Sequence, residues 1–369
     1  MEKDSLRKPY RILSLSGGGM RGIYQSYFLH ELSKRLPQKP LNENFDLIIG
    51  TSTGAIIALV VAFSRSLDVV TKMYESKGGT IFGKLHWWDH FLEGPLYNGD
   101  TLRKALKAIF GVKKFGECPG KVLVPATTLD QFAPRILSNQ NDADKELLVV
   151  DVLMASSAGP TYFQEVKPKD EARSYVDGGL WANTPSLIGV LEAHLAGANL
   201  MDIRVLSIGN GETPLGITPS DFRKIRPTSG EAAKTVMEMM FAAQSGFADV
   251  YTKHLIGDGR HGVLKFVRIN QSLREQIELD DAEKAVEQLK APAEKEARNR
   301  SQEIEQLLSL GSAAYEYKQE LLERTKGNYT EEEQRYGDLM KKLGDRFANI
   351  SEGKGGRHGF GGNQGSGII

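Results

Sequence analysis

Three consecutive glycines stand directly after a short apolar run, in Leu15-Ser16-Gly17-Gly18-Gly19-Met20-Arg21-Gly22, and they limit what this part of the chain can fold into. Residues 11–15 are β-rich and residues 24–36 suit a helix, so the glycines read as a tight strand-to-helix turn with bare backbone N–H groups. A second junction of the same kind follows. Residues 46–49 read as a buried parallel strand, Gly50-Thr51-Ser52-Thr53-Gly54 as its turn, and residues 55–63 as a buried helix too short to cross a bilayer. The expected class is α/β, with three layers and a mainly parallel central sheet.

The two turns carry complementary chemistry. N–H groups at a helix start favour negative charge, and a serine between Gly50 and Gly54 on a strand–turn–helix junction has the context of a nucleophile elbow. Together they read as an oxyanion hole, Gly17 to Gly19, and a nucleophile, Ser52. Each alone has an ordinary reading. Gly17, Gly19 and Gly22 also satisfy G-x-G-x-x-G, the pattern of a dinucleotide-binding turn, which would make this a non-catalytic nucleotide-binding protein. Against that reading, no acidic residue ends a second strand about 20 residues on; Asp46 begins one. A base is supplied by Ser174-Tyr175-Val176-Asp177-Gly178-Gly179, where a short strand delivers Asp177 into two glycines, and Pro185 then suits the first turn of a helix over residues 185–195. Taken alone, Asp177 is more readily a turn-forming aspartate, since Asp-Gly-Gly is common turn chemistry.

These segments resemble the patatin-like phospholipase family, which combines a G-G-G-x-[RK]-G loop, a G-x-S-x-G elbow and a D-G-[AG] motif in that order. The counterparts here are Gly17-Gly18-Gly19-Met20-Arg21-Gly22, Gly50-Thr51-Ser52-Thr53-Gly54 and Asp177-Gly178-Gly179. Residues 155–163 are similar to the family's S-S-A-x-P-x-[YF]-F stretch, and residues 205–211 to a later strand. Two positions depart from the pattern: Ser16 stands where the family often has Asp or Asn, and Thr184 replaces the second Asn of Asn-Asn-Pro, a change expected to affect only the capping of the next helix. The resemblance implies a Ser52–Asp177 dyad acting on fatty acyl esters of membrane phospholipids, with oxyanion donors from Gly17, Gly18 and Gly19. Losing one such donor costs on the order of 3 kcal/mol. Arg21, Gly22, Gly50, Gly54, Gly178 and Gly179 support the motifs, Arg21 by orienting the loop or offsetting negative charge.

The rival hydrolase is a Ser-His-Asp esterase, which would draw on His30, His86, His90, His194, His254, His261 or His358; it leaves the glycine loop and Asp-Gly-Gly unexplained. The 47 basic and 47 acidic residues balance, so no DNA or RNA polymer is expected as a partner. Cys118 is the single cysteine and permits no internal disulfide. No Cys/His or carboxylate cluster suggests a metal, and no cofactor is expected. Residues 1–10 are charged and lack a hydrophobic signal core, so the expectation is a cytoplasmic protein, peripheral at the inner membrane when active.

The expected organisation is a phospholipase domain over residues 1–310, a helical extension over 311–350 and a Gly-rich disordered tail over 351–369. Residues 271–299 read as a solvated amphipathic helix. Residues 82–92, with Trp87, Trp88 and Phe91, suit a lid or lipid-contacting loop as readily as packing on the domain. Phospholipases of this size resemble effectors switched on by cyclic oligonucleotides in anti-phage defence. That resemblance implies a cyclic oligonucleotide activator, transient contact with a membrane surface and a homo-oligomer among the partners, with no nucleotide site assigned.

Overall fold

A computed structural model of the chain describes residues 8–36, 39–81, 99–159, 164–168, 171–211, 218–225, 230–257, 264–273, 277, 279 and 281–309. The aromatic segment 82–92, the extension 311–350 and the tail 351–369 lie outside the described residues.

Among the described residues seven strands form one sheet: β1 Tyr10–Leu15, β2 Leu47–Gly50, β3 Val122–Thr128, β4 Ala133–Ser138, β5 Tyr175–Asp177, β6 Ile203–Ile208 and β7 Phe266–Ile269. Their order is β4-β3-β2-β1-β6-β7, with β5 also on β3. The β3-β2-β1-β6-β7 run is parallel, and β4 and β5 are antiparallel to β3. From β1 the chain proceeds outward through β2 and β3, then returns to build β6 and β7 on the other side. The order therefore reverses beside β1, and the carboxyl ends of β1, β2 and β6 open onto the crevice that such a switch point creates.

The helices are α1 Ile23–Ser33, α2 Thr53–Ala62, α3 Asp68–Ile81, α4 Asp100–Phe110, α5 Val149–Ser157, the single turn α6 Gly179–Ala182, α7 Ser186–Leu195, the single turn α8 Pro219–Phe222, α9 Gly230–Ile256 and α10 Ala282–Leu308. They cover both faces of the sheet. Ile12, Leu47, Ile49, Ile203 and Val205 point to the layer containing Val190 and Ala193 of α7 and Ile256 of α9. The alternate residues Leu13, Leu15, Ile48, Leu206 and Ile208 point to the larger layer built from α1, α2, α3, α4, α5 and α10. Both faces of the parallel strands are thus buried, which is why they read as continuous apolar runs.

Helix α10 differs from its sequence reading. It begins at Ala282 rather than near residue 271, because Asp281 caps it by accepting the Lys284 amide at 3.0 Å. It is also not free in solvent: Ala285, Leu289, Ala293 and Ala297, at i,i+4 spacing, are buried where α10 packs on α1. Its last carbonyls are capped by two buried arginines at the starts of β1 and β6. Arg204 Nη1 donates to Leu307 O (2.9 Å) and Ser309 O (2.6 Å), and Arg11 Nη1 to Leu308 O (3.4 Å). Positive charge there complements the helix dipole.

Candidate active site

The turn after β2 puts Ser52 at φ 53°, ψ −123°, a conformation that non-glycine residues adopt only when their surroundings impose it. Three hydrogen bonds do so. The Ser52 amide donates to Ser156 Oγ at 2.9 Å, the Ser156 hydroxyl donates to Pro125 O on β3 at 2.6 Å, and Thr51 Oγ1 donates to Ala182 O at 2.6 Å. Gly54 lets the first turn of α2 slide under the end of β1: a Cβ there would strike the Leu15 carbonyl and lie 2.8 Å from Ser16 O. Gly22 faces Thr53 in the same way, which ties the glycine loop to the serine turn.

Asp177 meets Ser52 because of how β3 is shared. β4 pairs with β3 from Leu123 to Thr128, so it occupies one edge. The other edge takes β2 at Val122 and Leu123 and β5 at Ala126 to Thr128. β2 runs parallel to β3 and β5 runs against it, so their last residues, Gly50 and Asp177, approach head to head. The Asp177 backbone is pinned on both sides, its amide donating to Ala158 O and its carbonyl accepting from Thr127 Oγ1, both at 2.9 Å. Its carboxylate accepts the Gly179 amide on Oδ1 at 2.6 Å and shares the cleft with Ser52, whose side chain favours the charged form. Loss of solvent pushes its pKa up from the usual 3.8 to about 6, and Gly179 and Ser52 only partly oppose this. A carboxylate so placed is a base near neutrality.

The three loop glycines are not equivalent. The Gly17 amide donates to Asn183 O at 2.9 Å and is therefore engaged. Among the described residues no carbonyl takes the amides of Gly18 and Gly19, and both residues line the cleft with Ser52 and Asp177. Gly19, at φ 54°, leads into a 3₁₀ turn, Gly19–Gly22, that carries the half-buried Arg21. The Met20 amide ends on Leu279 O at 2.7 Å, and Thr53 Oγ1 donates to Gly19 O at 2.8 Å. Gly50 and Gly178 are equally close-packed, against the Gly54 backbone and Pro125 O, and Gly179 supplies the amide on Asp177.

The cleft is open to solvent. Its walls are apolar, from Ile56 of α2, Tyr74 of α3, Leu102 of α4, Met237 and Phe241 of α9, and Leu279. Such a lining suits a hydrocarbon chain whose polar end lies at the floor. Ser157 also faces it, with a buried hydroxyl that has no hydrogen-bond partner among the described residues. Among the described histidines none lines the cleft. His194 bonds to Ala198 O at the far end of α7, His254 to Val250 O within α9, and His30 lies 3.4 Å from Asp68. His86, His90, His261 and His358 lie outside the described residues. Among the described residues no cluster of His, Cys, Asp and Glu could hold a metal ion, and no helix is long and apolar enough to cross a membrane.

Of the residues the sequence singles out, Gly18, Gly19, Ser52 and Asp177 come together in one cleft, while the contacts that Ser156, Gln25, Asn183 and Asn210 make with these segments had not been expected. Ser156, Asn183 and Asn210 stand inside stretches that resemble the family's, which is a usable signal; Gln25 on α1 gives none.

A family model described as patatin-like phospholipase matches residues 13–189. The chain is 29% identical over 245 residues to a cGAMP-activated phospholipase of Vibrio cholerae, covering 59% of this chain and 69% of that one. It is 31% identical over 260 residues to a cGAMP-activated phospholipase of Escherichia coli, covering 63% and 72%, and 30% identical over 258 residues to one of Pseudomonas aeruginosa, covering 68% and 76%. With three motifs in order, the α/β sheet that carries them and relatives of this extent, the chain belongs to the patatin-like phospholipase family and is a lipid acyl hydrolase.

Proposed function

We propose that the protein hydrolyses fatty acyl esters of membrane phospholipids through a Ser52–Asp177 dyad. The observation that carries this reading is the meeting of Gly50 and Asp177 on one edge of β3, which brings Ser52 and a carboxylate of raised pKa into one cleft. Ser52 Oγ attacks the ester carbonyl carbon as its proton passes to Asp177. The resulting oxyanion takes the free N–H groups of Gly18 and Gly19, the Gly17 amide being occupied. The tetrahedral species collapses, the C–O bond to the leaving alcohol breaks, and Asp177 returns the proton to that oxygen. Water, deprotonated by Asp177, then attacks the acyl-Ser52 ester; the fatty acid leaves and Ser52 is reprotonated.

Contact with a membrane surface is transient in this account. It is supported by α9, which lines the cleft with Met237 and Phe241 and exposes Val236, Met239, Met240, Phe247, Val250 and Tyr251 on its outer side. Activation by a cyclic oligonucleotide, in the anti-phage setting that the resemblance implies, is supported by the relatives, which are cGAMP-activated. An activator acts only by binding the active state better than the resting one. The test is release of labelled fatty acid from phospholipid vesicles by purified protein, with and without a panel of cyclic dinucleotides. Release that depends on Ser52 and rises with one of them is expected. Full release unchanged by every nucleotide would remove activation and leave the chemistry, and no release under any condition from folded protein would count against the phospholipid substrate.

A further inference from the structure

The glycine loop is held from behind by two buried amide side chains, Gln25 of α1 and Asn210 just after β6, 0% and 5% exposed. Gln25 Nε2 donates to Ser16 O at 2.8 Å, to Ile208 O at 3.2 Å and to Asn210 Oδ1 at 2.5 Å. That last bond fixes which way the Asn210 amide faces, so its NH₂ must turn to the loop. There Nδ2 donates to Gly17 O at 2.5 Å and Ser16 O at 3.2 Å. In a trans peptide the N–H points opposite to the C=O. With the Gly17 carbonyl held on Asn210, the Gly18 N–H turns away from β6 to the side where Gly18 lines the cleft. A side chain on Gly18 would collide with Asn210, so nothing separates the two. The next peptide is set the same way, its Gly18 carbonyl accepting the Arg21 amide at 3.1 Å and the Gly19 N–H lying opposite.

We propose that Gln25 and Asn210 are positioning residues that aim the Gly18 N–H at the transition-state oxyanion, an inference that rests on the Ser52 acyl-transfer reading. Neither side chain touches substrate. The pair acts on kcat because a donor rotated out of line is lost in the transition state and hardly felt in the ground state.

The experiment compares wild type, Asn210→Ala, Gln25→Ala and Ser52→Ala on a soluble short-chain ester, with the affinity of a trifluoromethyl ketone, which forms a tetrahedral oxyanion on the serine, and of a matching ether that cannot. Thermal unfolding establishes that each variant is folded, and Asn210→Asp, of the same size but unable to donate, is the reserve where Asn210→Ala is not. The expected result is a fall in kcat of about 100-fold with KM within twofold, the ketone weakened by a similar factor and the ether unchanged. A folded variant that keeps kcat within threefold, or loses ketone and ether affinity equally, overturns the proposal. Activity retained by Ser52→Ala would instead overturn the reading beneath it.

Discussion

The hydroxyls of Ser16 and Thr184 lie 3.0 Å apart, although the residues are 168 positions apart in sequence. These are the two positions where the chain departs from its family's pattern, and in space they are one contact. Thr184 Oγ1 also meets Ser245 Oγ of α9 at 2.9 Å, and Arg268 Nη1 donates to Ser16 Oγ at 3.2 Å. The expected capping role of Thr184 is not what it does: α7 starts after Pro185 with no side-chain cap, and the threonine links the glycine loop to α9.

Because the two hydroxyls share a bond, their removal should not be additive. In a double-mutant cycle on urea unfolding, Ser16→Ala and Thr184→Val should couple by about 1 kcal/mol. Additive effects would mean that the contact contributes nothing to stability.

The raised pKa of Asp177 makes two predictions about pH. For the reaction, the carboxylate must be ionised, so kcat/KM should fall about tenfold per pH unit below a midpoint near 6. For stability the sign is opposite to that of a salt-bridged acid. The folded-state pKa, about 6, lies above the usual 3.8, so the contribution of Asp177 to stability falls as pH rises between these values and stays lost above them. Asp177→Asn removes the ionising group, so its Tm relative to wild type should be higher at pH 7.5 than at pH 4.5, while activity is lost at both. A Tm difference that does not vary with pH would place the carboxylate in an ordinary environment.

Two glycines should respond oppositely to alanine. Gly54→Ala drives a Cβ into the Leu15 and Ser16 carbonyls and should cost about 3 kcal/mol or more in denaturant unfolding. Gly246, on the exposed side of α9, has nothing within 4 Å of its Cβ position, and Gly246→Ala should stabilise by about 0.5–1 kcal/mol.

Cys118 is buried, and loss of solvent pushes its thiol up to about 12. Alkylation at pH 8 should therefore be slow in the native protein and fast once it is unfolded. Equal rates would contradict the packing described.

What the sequence made legible is what is local. The Gly17–Gly19 loop, the Ser52 turn and the strand ending at Asp177 each carry their signal within about ten residues, since apolar runs bounded by glycines specify a strand and a turn without reference to anything distant. The sharing of one β3 edge by β2 and β5 was not legible, because it depends on pairings between residues as far apart as Ile48 and Val122 and as Ala126 and Asp177. The same holds for Gln25, a polar residue that a helix carries without any local mark, for its bond to Asn210, 185 positions away, and for the engaged amide of Gly17, whose acceptor, Asn183, lies on another turn. The amphipathic pattern before α10 ran on past Asp281 because periodicity alone does not mark a cap.

The central claim is that Ser52 is the nucleophile and Asp177 its base. The most direct measurement is labelling of wild type, Ser52→Ala and Asp177→Asn by a fluorophosphonate, with mass spectrometry of the labelled peptide and fatty acid release followed in parallel. The account predicts a single adduct on Ser52 in wild type, none in Ser52→Ala, slow labelling in Asp177→Asn, and loss of hydrolysis in both folded variants by a factor of about 10³ or more. Labelling of another serine, or hydrolysis undiminished in either variant, would contradict it.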